Sequence, residues 1–576
     1  MKYFVLFLTL LGIQSGYAQG SLLPLHSPSE QILERWDILY PGALDYHAPV
    51  RGNSRKDVVR RAFEVDSLLK SSRLDKWDQR YLFRENNEWL YQDPYIKGHS
   101  GSRVEWSMQS IHYDTLQKPF LAIFYPTPAN FLELNRHAIH LRVNPILNLR
   151  MGRDLSNDRT LFNNQRGLEL RGGIDDRYYF YTQILETQAA FPAYVNRRIE
   201  RDRAIPGNGF FKRFNSTLFN SEGSYDFLNA QGYFGFHISR HVGLQMGHGR
   251  HFIGNGHRSL LLSDFSNNYF YLKLHARVWK LHYQTIIAEL AAASNVDVPN
   301  DRILPKKYFV AHHLSFNISP TFNIGLFESV VFSRNDQFEL QYLNPIILYR
   351  SVEQMIGSPD NVSIGLDARL NLFRSIQLYG QLMLDEFKLD EALIERRGWW
   401  GNKYGLQAGL KYVNVAGIDH LDAQLEFNLV RPYTYTHRDS SANYAHYNQP
   451  LAHPLGANFR EGILRLNFRP APRWELAAHL LWAQQGNDLP NQNWGGHILL
   501  PNGTREQEYG NELLQGLRSE TSFARLRLSY AFMHNGYLEL EAIQRIKTWE
   551  STYQEERLFY FGGGIRLNVP ERLLDF

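Results

Sequence analysis

The chain has 576 residues and no cysteine, so it holds no disulfide framework, no thiolate chemistry and no lipid-anchoring thiol. A formal charge of +4, with 21% charged residues, argues against a nucleic-acid binder that relies on a strongly basic surface. Aromatic residues make up 14%, including 33 Tyr and 36 Phe. After the first eighteen residues no segment approaches the run of about 18 apolar residues that a transmembrane helix needs, so membrane crossing would require a barrel.

Residues 1–18, MKYFVLFLTLLGIQSGYA, carry Lys2, an apolar run from Phe4 to Ile13 and small residues up to Ala18. They read as a cleavable export signal, with the mature chain starting at Gln19. Residues 19–136 read as a small periplasmic helical region. Ser54 and Asp57 resemble a capping box, and Val58, Ala62, Val65 and Leu69 follow on one helix face. A second, more ambiguous helical segment runs from Arg73 to Leu90.

From residue 137 to 576 the period becomes two. In ILRLNFR, Leu464, Leu466 and Phe468 alternate with Arg465, Asn467 and Arg469; in LKLHARV, Leu272, Leu274, Ala276 and Val278 alternate with Lys273, His275 and Arg277. One face suits lipid and the other a polar interior. Short turns are predicted at 174–177, 238–241, 279–282, 318–321, 373–375, 416–419, 470–473 and 533–536. They alternate with long connections that include 189–222, 254–268, 291–307, 334–361, 388–403, 434–459 and 486–521. Periplasmic turns against extracellular loops describe an all-β outer-membrane barrel of about 18 antiparallel strands, with eight turns and nine long loops. The aromatic-rich final strand and Phe576 look like a C-terminal signal for barrel insertion.

The densest motif is GHGRHFIGNGHRSLLLSD, from Gly247 to Asp264. A phosphate loop would need Gly-Lys-Ser/Thr opening a helix, and here His257 and Arg258 follow Gly256 with no helical period. A metal site would rest on His248, His251 and His257, but no carboxylate lies between them, so no metal or cofactor is expected. The preferred reading makes 242–253 an ascending strand, GNGHRS a tight turn at the extracellular rim, and SLLLSD a segment that folds inward and narrows the pore. Arg250, Asn255, His257 and Arg258 are then candidates for polar contact with a ligand.

Loop 388–403 contributes Trp399, Trp400 and Asn402; the paired indoles read as an interfacial girdle or as a platform for sugar rings. Tyr433, Tyr435 and His437, in the loop from Arg431 to Phe459, suit polyhydroxylated ligands. Arg197, Arg198, Arg201, Arg203, Lys212 and Arg213 read either as an attractor of acidic polysaccharide or as a solvated loop. No Gly-x-Ser-x-Gly elbow or isolated carboxylate pair marks an enzyme, and no catalytic residues are expected.

GRHFIGNGHRSLLLSDFSNN (249–268) resembles a segment of the outer-membrane capsule-assembly (Wzi-type) proteins. YLNPIILYRS (342–351), LDEF (384–387), GWWGNKYGLQAGLKY (398–412), RPYTYTH (431–437) and HPLGANFRE (453–461) resemble Bacteroidetes-like members of the same group. The resemblance implies a largely occluded, monomeric barrel of eighteen strands that holds exported capsular or exopolysaccharide at the cell surface without catalysis. Its partners would be surface polysaccharide, the outer-membrane bilayer and a periplasmic or export-machinery protein, with no nucleic acid. The alternatives are an outer-membrane channel or transporter for small solutes, and a scaffold for a gliding or secretion complex.

Overall fold

The computed structural model describes residues 20–576 except 44–46, 67, 70–71, 93–124, 126, 137–138, 176, 217–220, 295–302, 335–336, 345–348, 358–359 and 551–553. The predicted export signal therefore lies outside the described residues.

Eighteen antiparallel strands form the wall. The first six are β1 (Ile139–Asp154), β2 (Arg159–Ile174), β3 (Tyr178–Ala190), β4 (Ser221–His237), β5 (Val242–Gly249) and β6 (Tyr269–Val278). They continue as β7 (Leu281–Ala291), β8 (Lys306–Asn317), β9 (Phe322–Phe332), β10 (Asn361–Leu372), β11 (Ile376–Glu386) and β12 (Lys403–Tyr412). The wall is completed by β13 (Leu421–Val430), β14 (Phe459–Ala471), β15 (Trp474–Asn487), β16 (Leu517–Met533), β17 (Gly536–Trp549) and β18 (Glu555–Leu567). Each strand pairs with the next, and β1 pairs with β18 from Leu147↔Leu567 to Asp154↔Tyr560, which closes the barrel. Closure leaves no free sheet edge in lipid.

The two-residue period has the expected consequence. On β6, Lys273 and His275 are buried in the lumen while Phe270 faces outward; on β16, Arg525 and Arg527 point in while Leu526 and Leu528 point out. Tyr178, Trp279, Phe373 and Trp474 stand exposed beside the short turns, as an aromatic belt requires. No helix among the described residues is long and apolar enough to cross a membrane.

The predicted short turns all fall between the expected strands, but the other end is less uniform than expected. Seven of its nine connections are long; those at 155–158 and 550–554 are hairpin-length. The last wall strand also stops earlier than predicted. After Leu567 the chain re-enters the lumen as a tail, 568–576. Asn568 donates from Nδ2 to the Pro145 carbonyl at 2.8 Å, and Phe576 lies edge-on to Tyr194. Phe576 therefore belongs to the lumen filling and not to the lipid-facing end of a strand.

Four helices, α1 (Pro28–Leu39), α2 (Arg55–Asp66), α3 (Arg73–Glu85) and α4 (Asn87–Gln92), share a core of Leu33, Trp36, Val58, Val59, Ala62, Leu82 and Trp89. Val58, Ala62 and Val65 are fully buried, as the helical spacing predicted. This bundle is not separate in its contacts. Arg35 donates to Asp422 at 2.5 Å and to Asn414 at 2.6 Å, Tyr81 donates to Asn535 at 2.5 Å, and Asp37 binds Arg369 and Asn371. These partners are lumen-facing wall residues and short-turn residues, so the helices stop the short-turn end of the barrel.

Glu34, on α1, joins this seam through Arg51 and through Lys411 Nζ at 3.1 Å. Burial alone would raise its carboxyl, but the two cations win and hold it down to about 2. A depressed carboxylate contributes its full stabilisation above its ordinary value of 4.5, and that contribution is lost as pH falls toward 2. Hydrogen exchange of residues 28–39 should stay slow from pH 7 to about 4.5 and accelerate below it. In Glu34→Gln the exchange should already be fast at pH 7.

Candidate functional site

The segment after β5 governs the upper lumen. At Arg250 the chain leaves the wall and turns inward. Ile253 bridges both Val50 and Leu262, and Gly254 N–H donates to the Pro49 carbonyl at 2.9 Å. GNGHRS therefore lies inside the barrel, not at the extracellular rim, and the ascending strand ends at Gly249 instead of residue 253. Gly254 has φ +139°, and a Cβ there would sit 2.3 Å from Gln381 Nε2. A Cβ on Gly256 would meet Glu426 Oε2 at 2.6 Å and the Arg258 carbonyl oxygen at 2.7 Å, so a side chain there would have to displace the backbone of the turn itself.

The apolar run then closes the lumen, as expected of SLLLSD. Leu260, Leu261 and Leu262 are fully buried with Phe309, Met383, Tyr444, Leu451 and Phe459. Their backbone is satisfied from three directions. Gln381 Oε1 accepts from Leu260 N–H at 2.8 Å, Tyr435 donates to the Leu260 carbonyl at 2.7 Å, and Tyr444 donates to the Leu261 carbonyl at 2.7 Å. The last two clamps come from loop 431–458, which folds down on the segment.

Charge fixes the other side of the turn. Glu426 accepts from the His257 N–H at 2.7 Å and the Arg258 N–H at 3.0 Å. The Arg258 guanidinium donates to Asp575 Oδ1 at 2.9 Å and to Glu461 at 3.3 Å. Burial, with Arg465 and Arg258 nearby, pushes His257 down to about 3 against the pull of Asp575, so its ring is neutral. Asp264 is held well below the usual carboxylate range by His26 and Arg250, which outweigh its burial.

The four ligand candidates of this motif are thus lumenal. Arg250 donates to the Gly207 and Asp264 carbonyls at 3.4 and 3.3 Å; Asn255 and Arg258 are buried, and His257 contacts Asp575. The three motif histidines diverge. His248 bonds the Ala230 carbonyl, His251 meets Tyr269, and His257 meets His479 and Asp575. The latter two carry no local signal, since Asp575 is 318 residues away.

The loop candidates divide similarly. Tyr433 and Tyr435 are at most 1% exposed, and Asn402 is buried, accepting from the Lys388 N–H at 3.0 Å. His437 is half-buried, its Nδ1 accepting from the Asp439 N–H at 3.2 Å. Trp399 and Trp400 are half-buried at the outer surface. Both indole N–H groups donate to Glu508 Oε1, at 3.1 and 2.9 Å, while Lys388 lies 4.3 Å over the Trp399 ring and Arg505 4.3 Å over the Trp400 ring. Glu508, Arg505 and Lys388 were missed in the sequence because two of them come from the loop after β15. In the basic loop, helix α5 (Ala193–Asp202) pairs Arg198 and Arg201 with Asp202, and Arg197 pairs with Glu556. Much of its charge is therefore spent internally.

Below the inward turn lies a cavity of about 1170 Å³, lined by residues of α1 and α3, by the wall at Arg465, His479, Arg525 and Arg527, and by the tail. Leu261→Ala removes the centre of the closure above it. Such truncations cost about 2–5 kcal/mol, so exchange of amides 254–264 should accelerate by at least about thirtyfold while wall amides stay protected.

No family model matches the sequence, and no curated protein matches it by sequence. Among solved structures, Wzi of Escherichia coli matches with a TM-score of 0.55 at 10% identity, over 96% of this chain and 100% of that one. It is described as an outer-membrane protein involved in group 1 capsule assembly and as a carbohydrate-binding β-barrel. Pseudomonas aeruginosa OprD matches with a TM-score of 0.38 at 10% identity, over 74% of this chain and 94% of that one. Acinetobacter baumannii OccAB2 matches with a TM-score of 0.39 at 10% identity, over 75% and 97%. The chain is a closed eighteen-stranded outer-membrane β-barrel, similar in fold to Wzi.

Proposed function

We propose that the protein holds exported surface polysaccharide at the outer face of the outer membrane and performs no chemistry on it. The observation that carries this reading is the closure of the upper lumen: residues 253–262, clamped by loop 431–458, replace a pore mouth with packed leucines and tyrosines. A barrel closed in this way offers its loops, not its lumen, to a large ligand. The Trp399–Trp400 pair supplies apolar ring faces beside Glu508, Arg505 and Lys388, a combination suited to sugar CH faces, hydroxyls and acidic substituents. The likeness to Wzi, described as carbohydrate-binding, supports the same class of ligand.

Purified barrel in detergent is expected to bind members of a panel of neutral and acidic surface polysaccharides. Trp399→Ala with Trp400→Ala should weaken binding about thirtyfold, equivalent to losing about 2 kcal/mol at a hot spot. Failure of the wild type to bind any glycan in the panel would sink this reading.

A second reading, passage of small solutes, is favoured by the cavity of about 1170 Å³ and its arginine lining. It requires the inward segment to move. In planar bilayers the wild type should show little steady conductance, and deletion of 254–264 should open one; a large steady current through the wild type would favour the channel.

A further inference from the structure

We propose that His257, His479 and Asp575 bind a single zinc-class divalent ion inside the lumen. His257 Nε2 lies 3.1 Å and His479 Nε2 3.0 Å from the same oxygen, Asp575 Oδ2, and the three donor atoms are all within 4.8 Å of one another. An ion bound tetrahedrally at about 2.0–2.1 Å separates neighbouring donors by about 3.3 Å. Two edges of the triangle are therefore already near that length, and the third is at most 4.8 Å.

The second observation is the state of His479. Its side chain is 7% exposed and its Nε2 is turned toward Asp575 Oδ2 at 3.0 Å, so both imidazoles converge on one carboxylate oxygen. Two buried imidazole nitrogens converging on a single carboxylate form a donor set that suits zinc. Imidazole and carboxylate donors select zinc, nickel, cobalt or copper over magnesium or calcium.

The surroundings fit a metal's outer partners. Arg258 takes the other carboxylate oxygen at 2.9 Å and the Asp575 carbonyl at 2.9 Å, fixing the orientation of the acid. The Asp575 carboxylate faces both imidazoles, and Glu461 is the second acid on Arg258. His257, His479 and Asp575 all border the lumenal cavity, which leaves an open coordination position and a route for the ion. The three ligands come from the inward segment, wall strand β15 and the tail, so one ion staples all three.

Full-length protein purified in detergent, stripped with a chelator and titrated with Zn²⁺ in the absence of glycan, tests the site separately from polysaccharide binding. The expected result is about one Zn²⁺ per chain, with slower hydrogen exchange of residues 568–576 on loading. His479→Ala, on the rigid wall, and Asp575→Asn should each lower Zn²⁺ affinity at least about tenfold, while His251→Ala, in the same segment but outside the cluster, should bind as the wild type. Heat-modifiable gel mobility establishes that each variant is a folded barrel. Sub-stoichiometric binding of Zn²⁺, Ni²⁺ and Co²⁺ by the wild type, or undiminished binding by folded His479→Ala, overturns the site.

Discussion

A wall of eighteen strands encloses more space than its own inward side chains can fill. Buried polar groups tolerate neither vacuum nor missing partners. The lumen must therefore hold either water or chain, and this protein has put chain there from three sources: the helices of residues 28–92, the segments 250–268 and 431–458, and the tail 568–576. The lumenal charges of the wall then become docking points. Arg369 receives Asp37, Asp422 receives Arg35, and Glu426 and Glu461 receive the turn at His257 and Arg258.

The filling differs along the barrel axis, and the difference has functional meaning. Toward the short-turn end it is held by ion pairs and hydrogen bonds between helices and wall, contacts that acid can loosen. Toward the long-loop end it is held by buried leucines and tyrosines, whose packing is insensitive to charge. Between them lies the cavity. In the proposed reading, a closed outer half leaves large ligands to the loops, where Trp399 and Trp400 stand, and the lumenal cavity to small species.

Turns, strand periodicity and the helical face at Val58, Ala62 and Val65 were legible because each depends on residues close in the chain. The inward fold of SLLLSD was legible for a related reason: three consecutive leucines next to a barrel rim have a strong drive to leave water. The position of GNGHRS was misread because its glycines suit a rim turn as well as a close approach to the wall, and only Gln381 and Glu426 decide between them. Tyr433 and Tyr435 looked like ligand-facing aromatics by composition, yet they bond the Asn493 and Leu260 carbonyls.

By itself the sequence determined the barrel, its strand number and the segment that enters the lumen, since a two-residue period and the alternation of short with long connections are local properties. The tertiary structure decided what fills the lumen and which side chains meet there. His257, His479 and Asp575 share an oxygen across hundreds of residues, and the helices meet turns from the opposite end of the chain. Such contacts are set by curvature and closure of the wall, which bring together residues that no local spacing relates.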